Sequence, residues 1–175
     1  LLGVGVGWVA EEAEAVGSDF ESRGARTDEY IEAMRALWRG EPTAHFEGST
    51  VRFDRVVSRP KPARPGGVPI LVGGHSRAAA RRAGRLGDGF YPLGVSGEAL
   101  DALLEVMRDA AAAHDRDPAA IEITTAASLE PAVADAFASQ GVDRLLVSPP
   151  TGDLDALPDA LERFRRDVME QHDDA

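Results

Sequence analysis

Val68-Pro-Ile-Leu-Val-Gly-Gly-His-Ser76 is an apolar run that stops on two glycines and opens into a helical segment over residues 77–86. Strand, glycine turn and helix start, in that order, build an anion site. A glycine lets the backbone come close to a ligand. The first N–H groups of the following helix have no internal partner and lie at the positive end of its dipole. A molecule carrying a phosphate is the ligand this stretch predicts.

Outward from that run, strand and helix signals alternate along the chain. Residues 1–6 form a short apolar stretch with glycine at every second place, ended by Gly7 and Trp8. Between Asp28 and Trp38 the apolar Tyr30, Ile31, Met34, Leu37 and Trp38 share one helical face, and Gly40 stops the helix. Residues 41–67 carry Pro42, Pro60, Pro62 and Pro65 with short alternating pieces around Phe46 and Phe53, which predicts an excursion with a small hairpin. After the helix over 77–86, Gly87-Asp-Gly89 turns into a strand over 90–93. Ser96 is placed to cap a helix whose stripe is Leu100, Leu103, Leu104 and Met107. A strand is expected over 121–127, then a helix opened by Ser128 and Pro131 and running through Phe137, then a strand over 144–147. A last helix would carry Leu154, Leu157, Leu161, Phe164 and Val168 on one face.

Two helix-to-strand junctions rhyme, Leu86-Gly-Asp-Gly-Phe90 and Gln140-Gly-Val-Asp-Arg144, so the chain reads as βα units of about 30 residues. Such units give parallel strands, in an open doubly wound sheet or a barrel. Five strands fit the last five units of a TIM (β/α)8 barrel lacking its first three, within a single domain over 1–175. In that fold functional groups gather at the strand C-termini, where Trp8, residues 73–76, Tyr91 and Ser148 all fall. Leu1 opens directly on a strand-like run, which reads as a piece of a longer chain.

Composition narrows the function. The 175 residues hold 43% apolar side chains, as an ordinary globular protein does. The 30 acidic and 19 basic side chains leave a net charge of −11, a surface that repels nucleic acid and anionic lipid. No apolar run is long enough for a membrane span and no leader pattern is present, so the expected location is the cytoplasm. There is no cysteine, and His45, His75, His114 and His172 lack zinc-ligand spacing, so no metal is expected.

Individual residues divide between ligand and structure. Gly73 and Gly74 form a phosphate turn or simply a tight turn; His75 offers its backbone N–H more than its ring; Ser76 serves as helix cap, phosphate ligand or both. Trp8 would face a barrel mouth. Trp38 and Phe53 read as packing residues, Arg23 and Arg26 as solvated or salt-bridged, and Asp88 and Asp143 as turn formers.

Leu2-Gly-Val-Gly-Val-Gly-Trp8, the segment from Gly17-Ser-Asp-Phe20 into Ala36-Leu-Trp38, Phe46-Glu-Gly48, Arg59-Pro-Lys-Pro62 and Pro69 through Phe90 occur in an order and spacing that resembles the luciferase-like monooxygenase superfamily, in particular its F420-dependent oxidoreductases. The resemblance is close over the first 95 residues or so and one of pattern beyond. It implies a (β/α)8 barrel, a homodimer, and a deazaflavin F420 or, alternatively, FMN held at the strand C-termini. The implied chemistry is hydride transfer to or from a small organic substrate. Carried over by position, Gly5, Gly7, Trp8 and Glu11 would line the ring region, and Gly73, Gly74, His75 and Ser76 would hold the phosphate. The family's first three strands, with its substrate-facing residues, have no counterpart here, so the catalytic residues are not named and the fragment alone is expected to be inactive. The other readings are a non-catalytic cofactor-binding protein on the same barrel, and a truncated barrel whose open strand edges require a partner.

Overall fold

The computed structural model describes residues 1–128 and 130–170. His172 and the acidic Asp173 and Asp174 lie outside the described residues. Five parallel strands form one sheet: β1 (Leu2–Val4), β4 (Ile70–Gly73), β5 (Gly89–Tyr91), β6 (Glu122–Ala127) and β7 (Arg144–Val147), adjacent in that order. A separate antiparallel pair, β2 (Ala44–Glu47) and β3 (Arg52–Val56), makes the hairpin between β1 and β4. Helices α1 (Ala10–Ala15), α2 (Arg23–Arg39), α3 (Arg77–Leu86), α4 (Gly97–Ala112), α5 (Pro131–Ser139) and α6 (Leu157–Phe164) fall between and after the strands. The architecture is α/β, a parallel sheet with alternating helices that forms part of a TIM barrel.

Alternation along the strands sorts two faces. Ile70, Val72, Phe90 and Ile123 are buried toward the helices, where Ala80 and Ala83 of α3 and Leu100, Leu104 and Met107 of α4 complete the core. The in-register neighbours Gly3, Leu71, Gly89 and Glu122 take the opposite face. The stripe expected on α4 is buried in full. Trp38 packs against the core, and Phe46 stacks on Phe53 with ring centroids 5.8 Å apart.

The rhyming junctions have one structural meaning. The Asp88 carboxylate accepts from the Ile70 N–H at 2.9 Å while the Asp88 N–H donates to the Ile70 carbonyl at 2.7 Å. Asp143 repeats both bonds on Ile123, at 2.7 and 2.9 Å. Each aspartate ties the start of one strand to the start of its neighbour, satisfying a buried backbone donor at the sheet's N-terminal rim.

Several boundaries differ from the sequence reading. Helix α2 starts at Arg23 rather than Asp28. The Asp19 carboxylate accepts from the N–H groups of Glu21 and Ser22, and Arg26 donates to Ser18 Oγ, Asp19 O and Ser22 Oγ, so a polar first turn that carries no apolar period is held helical. Arg23 lies 3.6 Å from the centre of the Phe20 ring. Both arginines therefore brace this turn, in place of an ion-paired role. Strand β5 ends at Tyr91 because Pro92 has no N–H to continue the ladder. Ser96 stands at the cap position of α4 without a side-chain bond; Gln140 reaches across instead, its Oε1 accepting from the Gly97 N–H at 3.3 Å while its Nε2 donates to Gly97 O at 3.0 Å and to Asp101 at 2.9 Å. Helix α5 is preceded by Glu130 rather than Ser128, with Pro131 in its first turn. The expected last helix is two pieces: α6 passes into a wider π-type turn over Arg165–Met169, and the stripe comes apart, with Leu154 81% and Leu161 48% exposed.

Candidate functional site

At the C-terminal ends of β1, β4 and β5 the inward face of the sheet is nearly without side chains. Gly3 and Gly5 open onto free space, with no atom within 4 Å of where a Cβ would stand, and a Cβ on Gly73 would meet only the Val4 carbonyl oxygen, at 3.6 Å. These glycines with Val4, Leu71 and Tyr91 line a hollow of about 230 Å³. A flat ring can lie against such a wall at backbone distance, which any side chain would prevent.

Beside the hollow, β4 turns into α3. Gly74 has φ +130°, and a Cβ there would come to 3.0 Å from Ala79 Cβ, so the turn itself requires glycine. Its N–H donates to the Tyr91 carbonyl at 3.1 Å, which fastens β4 to β5. That bond removes the Gly74 N–H from the set of phosphate donors. Ser76 caps α3, its Oγ accepting from the Ala79 N–H at 3.1 Å. The N–H groups of His75, Ser76, Arg77 and Ala78 have no partner among the described residues and stand at the positive end of α3, whose first turn holds no acid. The His75 ring is exposed and unbound among the described residues.

Of the eight positions expected from sequence, Gly5 and Gly73 line the hollow and Gly74, His75 and Ser76 form the turn beside it. Gly7, Trp8 and Glu11 are outside that lining: Gly7 turns at φ +79°, Trp8 is 88% exposed, and Glu11 lies exposed in the first turn of α1. Tyr91 falls in the site as its place at a strand C-terminus predicts, whereas Leu71 was not expected there. Their signal is parity: both fall on the Gly73 face of adjacent strands, visible once the register is known.

The hairpin is fastened to α2 near the open edge of β1. The Glu29 carboxylate accepts from Ser49 Oγ at 2.6 Å and from the N–H groups of Ser49, Thr50 and Val51. These bonds, the Ser49 hydroxyl first, hold its pKa down at about 2. Tyr30, Met34 and Leu37 of α2, Phe53 of the hairpin, and Gly3 and Gly5 border an apolar groove of about 580 Å³. Among the described residues no group of three or more His, Asp or Glu side chains could hold a metal ion, and no helix is long and apolar enough to cross a membrane.

The model of the luciferase-like monooxygenase family matches residues 1–171. An F420-dependent glucose-6-phosphate dehydrogenase from Mycobacterium avium is 36% identical over 123 residues, 67% of this chain and 36% of that protein. An FMNH2-dependent dimethylsulfone monooxygenase from Pseudomonas fluorescens is 35% identical over 112 residues, 62% of this chain and 30% of its own. The crystal structure of a monooxygenase from Streptomyces bottropensis superposes with a TM-score of 0.59 at 26% identity, covering 98% of this chain and 49% of that one. The chain thus spans about a third of the curated relatives it matches and about half of the solved structure. It belongs to the luciferase-like monooxygenase family.

Proposed function

We propose that this member of the luciferase-like monooxygenase family contributes the cofactor-holding side of a barrel oxidoreductase that takes F420, with FMN as the alternative, and passes a hydride to or from a small organic substrate. The observation that carries the reading is the strip Gly3, Gly5 and Gly73, free of side chains, beside the unpartnered N–H groups at the start of α3. A planar ring and a phosphate on one molecule fit these two features side by side. When bound, the cofactor supplies the hydride-carrying ring. The residues of this chain bind and orient it: the glycine strip sets the distance of the ring from the backbone, His75 to Ala78 offer N–H donors to the phosphate, and Tyr91 closes one side. Gly7, Trp8 and Glu11, which the resemblance assigns to the ring region, stand outside the hollow and carry none of the reading. The reading includes a homodimer in the cytoplasm. The exposed Leu146 and Leu161 support burial against further polypeptide.

The test is equilibrium dialysis of the protein with F420 and with FMN, before and after Gly5→Val. A Cβ at Gly5 would have no atom within 4 Å, so a valine there is expected to leave the fold standing while its methyl groups fill the hollow. Gly74→Val would not discriminate, because φ +130° strains any side chain there. Affinity for F420 above that for FMN, falling at least roughly tenfold in Gly5→Val, supports the proposal. Unchanged affinity in a folded Gly5→Val protein, or tighter FMN binding, removes the hollow or the cofactor choice respectively.

A further inference from the structure

The opposite rim of the sheet carries a second polar feature. Between the end of α2 and the segment leading into β4 lies a crevice of about 150 Å³, bordered by Arg35, Arg39, Arg64, Gly66, Gly67 and Asp88. Three guanidinium groups meet one carboxylate there. That carboxylate is already engaged twice, accepting from the Ile70 N–H at 2.9 Å and pairing with Arg35 at 3.3 Å. Arg116 adds a fourth positive charge behind it: bonded to the carbonyls of Ala83, Gly84 and Gly87, it is near enough to Asp88 and Arg35 to feel both charges. Glu41, the first acid after α2, is taken by Arg59 at 3.5 Å and Lys61 at 4.0 Å. Arg39 and Arg64 therefore have no carboxylate partner among the described residues.

In a chain of net charge −11 this is a local reversal of sign. The backbone of the crevice is also fixed. Gly66 and Gly67 hold φ +93° and +107°, and Gly67 is pressed against the Trp38 ring so closely that a Cβ would stand 2.6 Å from it. The Gly66 N–H has no partner among the described residues. A rigid turn with a free donor, flanked by two unpaired guanidinium forks, has the charge and the geometry for a compact oxyanion. The volume equals that of about five waters, room for a tetrahedral anion and little more.

We propose that this crevice is a phosphate-binding site, taking the dianion free or as the end of a phosphomonoester. It is distinct from the turn at the start of α3. From Pro69 to Gly74 the chain advances five residues along β4, about 17 Å at the rise of a strand, so the two sites lie at opposite ends of the sheet. Arg35 is held on Asp88 and shapes the crevice, whereas Arg39 and Arg64 are free to turn onto the anion.

The test follows amide and arginine Nε shifts in ¹H–¹⁵N spectra during titration at constant ionic strength with inorganic phosphate, glycerol phosphate and, as a monoanion control, acetate. Saturable shifts at Gly66, Gly67 and the Nε groups of Arg39 and Arg64, weakened at least roughly tenfold in Arg39→Gln/Arg64→Gln, uphold the site. The amides of residues 74–77 report the other end of the sheet independently, so loss of the cofactor reading leaves this result intact. The stronger of the two phosphate responses tells whether free phosphate or a phosphomonoester is the ligand. Both arginines are exposed and their removal leaves the core untouched; should the double variant nonetheless lose its native spectrum, Arg39→Lys/Arg64→Lys keeps charge without the fork and must also bind more weakly. Absence of saturable shifts at Gly66 and Gly67, equal response to acetate, or unchanged affinity in the variants overturns the proposal and leaves Arg39 as a complement to the α2 dipole.

Discussion

Gly84→Ala sets two effects against each other at the crossing of α3 and α4. Alanine is the better helix former by about 1 kcal/mol, which taken alone stabilises the variant. The new Cβ, however, would overlap the Met107 carbonyl oxygen and stand 2.9 Å from both Ala110 Cβ and Ala111 N. Such atoms rest at about 3.5–4.0 Å, so the helices must separate by roughly 1 Å. The obstacles are backbone and a Cβ, none of which can rotate aside. Separation loosens Ala80, Ala83, Leu104, Met107 and Ala111, each no more than 1% exposed. A gap of that size forfeits about a quarter to a half of each contact, and overpacking of a tight core costs about 1–3 kcal/mol. With an entire helix pair displaced, the upper end applies, about 3 kcal/mol. The difference is a net loss of about 2 kcal/mol, or about 4–8 °C in Tm for a chain of this size. Urea unfolding followed by far-UV circular dichroism measures it. Ala78→Gly, exposed in the first turn of the same helix, reports the propensity effect and should lose at most about 1 kcal/mol. A Gly84→Ala protein as stable as the parent, with Ala78→Gly behaving as stated, would refute the close-approach argument.

The remaining expectations test separate fastenings. Glu29 has its pKa lowered from 4.5 to about 2, so the hairpin's attachment is present above about 4.5 and is lost as pH falls through about 2; the amide shifts of Ser49, Thr50 and Val51 should titrate near the lower value and cease to titrate in Glu29→Gln. A midpoint near 4.5 would mean the carboxylate does not hold the turn. Ser76→Ala removes the cap of α3 and should cost about 1 kcal/mol in urea unfolding; no loss would free Ser76 for a purely ligand-binding role. Asp143→Ala strands the buried Ile123 N–H and should cost about 1–3 kcal/mol. Faster exchange at Ile123 than at Ile121 or Thr124 would localise the effect, and uniform protection would argue against the tie.

The order of elements was legible in the sequence because it rests on periodicity and punctuation that act locally. Helix α4 announces itself through Leu100, Leu103, Leu104 and Met107, and α3 through the glycines before it and Gly87 after it. Misreadings arose where a long-range bond replaced a local signal. Ser96 and Ser128 are good caps by type, yet the Gly97 N–H at the start of α4 is met by Gln140 Oε1 from 43 residues away, and Glu130 precedes α5. The start of α2 was hidden because Asp19 and Arg26 hold a turn that has no apolar face. The stripe on the last helix failed for a different reason: Leu154 precedes the start of α6 at Leu157, and Leu161 is left 48% exposed.

The candidate site was half legible, and the division follows from what a parallel sheet does to neighbouring strands. Residues 73–76 are contiguous, so their turn and cap can be read from one window. The hollow is assembled from Gly3 and Gly5 on one strand, Leu71 and Gly73 on the next and Tyr91 on a third, which become neighbours only through the register Gly3 to Leu71 and Gly73 to Tyr91. Alternation at Gly3 and Gly5 declared that one face of β1 lacks side chains, though not which partner would face the same way. The same register decides the fate of Gly74, whose N–H would be a phosphate donor in an isolated turn but is spent on Tyr91 here. The arginine crevice shows the converse case, since Arg35 and Arg39 are one helical turn apart but Arg64 and Asp88 reach them only when β4 and β5 align their first residues. Chemistry carried by one segment can therefore be read before the fold is known. Chemistry shared across the rims of the sheet depends on strand order, and in this chain both the hollow and the crevice are of that second kind.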